Sequence, residues 1–269
     1  MRLAPVLAAL LAGCGEAAVE WAGEPARIPV PPAETRLALA GAGEPAFVTL
    51  PRPSALSDPT AGIPNVCPTS LRFAPAGGAA WFAAGWSLRA DRSASLIVTR
   101  SADDGATWSA PMPADSLDRG TVGCDRPPPD VVADAASGYT HLAYFLYAPE
   151  GRGIFFTHSM ELTGELFHSP VAVVYGDRPS AVSITASGDT VLVAYENPND
   201  ARPRIGLAIS RTMGHIFEER TMVTGKSTAA LTPRVARDGR SIAVSWIERG
   251  PAGAADAPAQ AFVRQGALQ

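Results

Sequence analysis

The chain has 269 residues, 18% of them charged and 46% hydrophobic, with a formal net charge of −4. That length supports a sizeable core, and a repeat architecture can occupy it as one domain. The weak acidity gives no basis for nucleic acid or an anionic membrane surface as partner. With 25 Gly and 25 Pro between short apolar runs, the composition predicts an all-β chain rather than a helical one.

Met1-Arg2-Leu3 opens with one positive charge, and Leu3 to Leu11 is almost wholly apolar. The run is too short to span a bilayer but suits the core of a signal peptide. It ends in Leu11-Ala12-Gly13-Cys14, which resembles the lipobox of bacterial lipoproteins. By that resemblance residues 1–13 are removed and Cys14 is diacylated. The protein would then be held by lipid on a bacterial envelope membrane, on the periplasmic side or at the cell surface. An ordinary cleaved signal is the alternative, and either predicts export. Residues 14–36, rich in Ala, Glu and Pro, read as a semi-rigid tether, and 37–269 as the folded domain. Export leaves Cys67 and Cys124 as an even pair in an oxidising compartment. A disulfide is expected, with two buried free thiols as the alternative.

Ala46-Phe47-Val48-Thr49-Leu50 reads as a spare strand, and Leu37–Ala40 as the start of another. A repeating unit follows. Each opens on a Pro-led strand and reaches a Gly turn nine residues on: Pro68 with Gly77, Pro129 with Gly138, Pro179 with Gly188. An aromatic-rich strand comes next, such as His141-Leu142-Ala143-Tyr144-Phe145, and then a strand ending at a Ser. A fourth unit starts at Pro233, turns at Gly239 and has its third strand at Ala261–Arg264, with no fourth. The Ser positions 101, 159 and 210 give a period of roughly 50 residues, the size of a propeller blade or solenoid unit.

After the first of these strands stands Ser101-Ala102-Asp103-Asp104-Gly105-Ala106-Thr107-Trp108. The spacing S-x-D-x-G-x-T-W resembles the Asp-box, the bacterial neuraminidase repeat of sialidase-type β-propellers. Read as a turn, Asp103 accepts backbone N–H groups, Gly105 takes a positive φ, Thr107 adds a hydroxyl bond and Trp108 plugs the gap between sheets. Ser159–Phe167 and Ser210–Phe217 keep the Ser, the Gly and a terminal aromatic but lose the Asp. The resemblance implies a β-propeller of four-stranded antiparallel blades. Four are visible, and a degenerate fifth fits the strand at Leu37–Ala40. The N-terminal strand at Ala46–Leu50 would complete the last blade and close the ring.

In such propellers ligands bind at one end of the central channel. Arg126, Arg178 and Arg234 occupy related positions before or within successive inner strands. They resemble the sialidase arginine triad, whose planar guanidinium forks match a carboxylate; structural Asp–Arg ion pairs are the alternative reading. A catalytic set is not recovered. Asp130 is a candidate acid, with a turn or surface carboxylate as the alternative, and Tyr195–Glu196 or Tyr144 with Glu150 are candidate nucleophile pairs, yet these tyrosines stand on second strands or their loops, where interblade packing explains them better. Arg27-Ile28-Pro29 resembles the motif that opens sialidase domains, but no apolar strand pattern follows it. His141, His158, His168 and His215 show no metal-ligand spacing, so no metal or other cofactor is expected. Gly225-Lys226-Ser227-Thr228 lacks the earlier Gly of a phosphate-binding loop, so no nucleotide is expected either. Two functions are therefore expected: a non-catalytic binding or scaffold protein of the envelope that meets a glycan or another protein, or a sialidase-like glycoside hydrolase acting on an acidic sugar.

Overall fold

A computed structural model describes residues 17–161, 165–226, 229–249 and 258–269. The expected signal sequence and Cys14 lie outside these residues, as do Gly164 of the second Ser-led turn and Ser227-Thr228. The chain enters through two short strands, β1 (Val19–Trp21) and β2 (Ala26–Ile28), and a hairpin of β3 (Thr35–Ala40) and β4 (Glu44–Thr49). Four meanders follow. The first is β5 (Arg72–Pro75), β6 (Trp81–Leu88), β7 (Ala94–Ser101) and β8 (Met112–Asp115); the second β9 (Asp130–Ala133), β10 (Thr140–Ala148), β11 (Gly151–His158) and β12 (Val171–Tyr175). The third is β13 (Val182–Ser187), β14 (Thr190–Glu196), β15 (Ile205–Ser210) and β16 (Glu219–Met222). The last holds β17 (Ala229–Asp238), β18 (Ser241–Arg249) and β19 (Gln260–Leu268). Every pairing is antiparallel and sequential within its meander. At each turn from first to second strand stands the expected Gly, at 77, 138, 188 or 239, each with positive φ.

The second strands explain how the sheets stack. Successive residues of a strand point to opposite faces, and β10 is apolar on both. Leu142, Tyr144 and Leu146 pack with Phe82, Ala84 and Trp86 of β6. The alternate residues Ala143 and Phe145 pack with Val191, Val193 and Tyr195 of β14. The other face of β14, Leu192 and Ala194, joins Val244 and Trp246 of β18. Ala243 then meets Leu37 on β3, with Leu39 and Phe47 packed alongside. The second, third and last meanders are thus sandwiched between neighbours, and two-sided burial replaces the one-sided alternation of an exposed sheet. The first strands β5, β9, β13 and β17 adjoin in that order, with β3 beside β17. The fold is all-β and propeller-like. Among the described residues no helix is long and apolar enough to cross a membrane.

An N-terminal segment does complete the last meander, but a different one from that expected. β1 pairs along β19 from Val19 opposite Leu268 to Trp21 opposite Gly266, and β2 continues on the same edge. The expected spare strand forms β4 and pairs with β3 instead, Phe47 opposite Leu37. The tether expected over 14–36 is therefore sheet from Val19 on. Val-Glu-Trp and Ala-Arg-Ile are too short to show a period of two, so pairing along the free edge of β19, not local pattern, makes them strands. Arg27 and Ile28 belong to β2, and Pro29 stands just past its end.

Cys67 and Cys124 form a disulfide, with Cα atoms 5.5 Å apart and 57 residues between them in sequence. It ties the segment before β5 to that before β9. Closing a loop of this length restricts the unfolded chain by about 4 kcal/mol on a chain-entropy model.

Candidate functional site

The first Ser-led turn forms by side-chain hydrogen bonds. The Ser101 hydroxyl accepts from the Gly105 N–H at 2.8 Å and donates to Asp103 Oδ1 at 2.8 Å. Asp103 in turn accepts the Thr107 N–H at 2.9 Å and the Thr107 hydroxyl at 2.7 Å. These bonds hold the Asp103 carboxyl below the usual carboxylate range, with Thr107 the largest cause. Gly105 has φ +87°, and a Cβ there would stand 2.6 Å from Pro53 Cβ. Trp108 is half-buried against Phe73, ring centroids 6.0 Å apart.

The third turn keeps this frame with other side chains. Ser210 Oγ accepts the Gly214 N–H at 3.0 Å, and Thr212 Oγ1 accepts the Ile216 N–H at 3.0 Å, so Thr212 stands where Asp103 does. Met213 and Gly214 repeat the positive φ of Asp104 and Gly105. Phe217 replaces Trp108 and packs on Phe156 at 5.4 Å.

The three arginines do not form one grip. The Arg126 side chain is 1% exposed and bonds Asp118 at 2.8 Å, with further bonds to the Gly123, Gly120 and Arg92 carbonyls. Its guanidinium is spent, and it lies over the Trp86 ring. Here the ion-pair reading holds. Arg178 bonds Glu196 at 3.3 Å and the Asn197 carbonyl, leaving Nε buried without a partner. Arg234 bonds the carbonyls of Thr35 and Pro32 and lies over Phe47, with Nη1 buried and unpartnered. Glu196 accepts from both Arg178 and the Thr232 N–H, so it links the β13 and β17 ends.

The candidate acids have structural partners too. A first strand leaves backbone N–H groups on its free edge, and these need acceptors. Asp130 on β9 accepts the Ile184 N–H of β13 at 2.9 Å, and Asp134 accepts the Gly188 N–H at 2.9 Å. Ser183 repeats the device by accepting the Val235 N–H of β17. Burial pushes the Asp130 carboxyl up, while the Ile184 N–H and Arg72 oppose the rise. Neither tyrosine pairs with the glutamate expected for it. Tyr144 donates to Asp115 at 2.6 Å, both fully enclosed between sheets, and burial raises both groups. Tyr195 lies in the core with its ring against Gly206, while Glu196, next on the strand, faces the other way.

An open groove of about 320 Å³ runs beside the first turn, lined in part by Arg100, Thr107, Trp108, Ser109, Met112 and Glu165. A second feature had no signal in sequence spacing. The four histidines gather at one rim: His168 and His215 lie 4.9 Å apart by ring centroid, His158 lies 4.7 and 4.8 Å from them, and His141 is 5.6 Å behind His158. Sequence spacing gave no reason to group these residues; the structure brings them together, and three of them, His158, His168 and His215, could hold a metal ion.

No protein-family model and no curated protein sequence matches the chain. Among solved structures it is similar to a protein of unknown function from Dyadobacter fermentans DSM 18053, with 15% identity and a TM-score of 0.50, over 71% of this chain and 50% of that one. Xylan beta-1,4-xylosidase from Bacillus halodurans C-125 superposes with 9% identity and a TM-score of 0.47, over 86% of this chain and 52% of that one. A thermostable family-43 glycoside hydrolase gives 13% and 0.43, over 74% and 70%. The chain spans about half the length of the first two. At such identities the likeness is one of fold, and none of the structures named is a sialidase.

Proposed function

We propose that this is an exported, lipid-anchored β-propeller of four complete blades, with the β3–β4 hairpin as a degenerate fifth, acting as a non-catalytic binding scaffold of the cell envelope. One observation carries the reading: the candidate carboxylates, Asp130 at the start of β9 and Glu196 at the end of β14, are already engaged by the protein's own donors. Asp130 is bound to the Ile184 and Val131 N–H groups, and Glu196 to Arg178 and the Thr232 N–H. A general acid or base needs a proton or lone pair free for the substrate, and a nucleophilic tyrosine needs its activating carboxylate in reach of solvent.

The groove beside the first turn suits an acidic glycan. Trp108 offers an apolar ring edge, and exposed Arg100 offers a two-pronged donor, with Ser109 and Thr107 hydroxyls alongside. A sialidase-like hydrolase is the second reading. It is favoured by the unspent donors Arg178 Nε and Arg234 Nη1, which an anion at the channel end would satisfy.

Hydrolysis of a fluorogenic sialoside, together with binding of sialyllactose and glucuronate oligosaccharides, separates the two. The scaffold reading expects no turnover, and binding weakened roughly tenfold by Arg100→Ala but untouched by Arg178→Ala. Turnover that Arg178→Ala abolishes in a folded protein would overturn it.

A further inference from the structure

We propose that His158, His168 and His215 bind one borderline transition-metal ion, Zn²⁺ or Cu²⁺, with a coordination position left open to solvent. One ring nitrogen from each lies within 4.8 Å of the other two. A tetrahedral ion with bonds of about 2.0 Å brings its nitrogens to roughly 3.3 Å from one another, so modest side-chain rotation closes the triangle. The three ring planes stand at 75°, 83° and 87° to one another. Aromatic packing also favours such perpendicular rings, so the spacing of the nitrogens, and not the ring angles, carries the assignment.

The ligands come from separate places that the repeat brings side by side. His158 ends β11, and His168 follows the loop that returns from it, its N–H bonded to the His158 carbonyl. His215 comes from the third turn, on the next meander. That turn is fixed independently of any ion by Ser210 and Gly214, so the third ligand is held in advance. A bound ion would clamp two sheets at their rim.

The chemistry of the donors selects the ion. The group is all imidazole, which suits zinc, copper, nickel and iron, whereas calcium and magnesium require oxygen ligands. The His158 Nδ1 is buried without a hydrogen-bond partner in a residue 3% exposed. His141, fully buried with both nitrogens unpartnered, stands behind His158 as a positioning residue, not a ligand. His215 is exposed and His168 half-exposed, which leaves a path for entry and an outward face for the open position.

The test uses the untagged chain, stripped with chelator and titrated with Zn²⁺, Cu²⁺ and Ca²⁺. Bound metal is measured by mass spectrometry, affinity by calorimetry and folding by circular dichroism. The expected result is one equivalent of Zn²⁺ or Cu²⁺, a raised melting temperature and no response to Ca²⁺. His215→Ala, at an exposed position, and His168→Ala should keep the fold and lose the tight equivalent. Folded protein that takes up neither Zn²⁺ nor Cu²⁺ stoichiometrically, or a His215→Ala variant that binds as tightly as the parent, would overturn the proposal and leave an aromatic packing cluster.

Discussion

The first and third Ser-led turns share a backbone and differ in almost everything the backbone does not need. In both, a buried Ser hydroxyl accepts the N–H of a Gly with φ near +90°, and the residue before that Gly is also left-handed. What varies is the side chain two places after the Ser. Asp103 accepts the Thr107 N–H and hydroxyl and the Ser101 hydroxyl, whereas Thr212 accepts the Ile216 N–H and shares a 3.2 Å bond with the Ser210 hydroxyl. The frame therefore rests on Ser and Gly, and the Asp is an addition. A turn that does not depend on its polar tip is free to carry other chemistry there, and the third turn presents His215 to the histidine cluster.

The strongest way to break the third turn is to give Gly214 a side chain. Its φ is +90°, and a Cβ would run into the Phe156 ring, which is 1% exposed in the core. Left-handed strain and overpacking add, so Gly214→Ala should cost about 3 kcal/mol, read from denaturant unfolding. Gly105→Ala meets Pro53 of a flanking loop instead, which has more room to shift, and should cost less. Equal losses would show that strain, not the ring, decides.

Removing the shared hydroxyl comes next. Ser101 and Ser210 are both fully buried, so an alanine at either strands a buried Gly N–H. Ser101→Ala and Ser210→Ala should each cost about 2 kcal/mol in the same unfolding assay. If Ser210→Ala cost nothing, the third turn would be held by its neighbours and not by a Ser–Gly frame.

The same contrast explains what the sequence made legible. The all-β class, the blade period and the first turn were readable because each is local: apolar strands, Gly turns at fixed offsets and a full set of turn residues. The disulfide followed from compartment and parity. β1 and β2 were not readable, since a three-residue strand is specified by the free edge of β19 lying beyond it. Nor were the functional surfaces. Arg126, Arg178 and Arg234 occupy related positions, yet their partners lie 8, 18 and 199 residues away, and only packing reveals that Arg126 is sealed on Asp118. The histidines had a faint signal. His158 directly precedes one Ser of the repeat, and His215 stands five places after the next, so they are neighbours only once blades are stacked in register.

Asp103 offers the finest test of the comparison, because it is the ionised side chain that stands where the third turn has the neutral Thr212. Asp103→Thr gives the first turn the third turn's chemistry and should produce only a small loss at neutral pH. The effect should depend on pH in a defined sense. The folded carboxyl is held below its ordinary value by Thr107 and Ser101. Its contribution is therefore present above the ordinary carboxylate range and disappears as pH falls through the folded value. Melting temperatures of parent and variant should differ at pH 7 and converge near pH 3. A difference that persisted unchanged in acid would mean that Asp103 acts through the shape of its hydrogen bonds and not through its charge. The two turns would then be closer in mechanism than their sequences suggest.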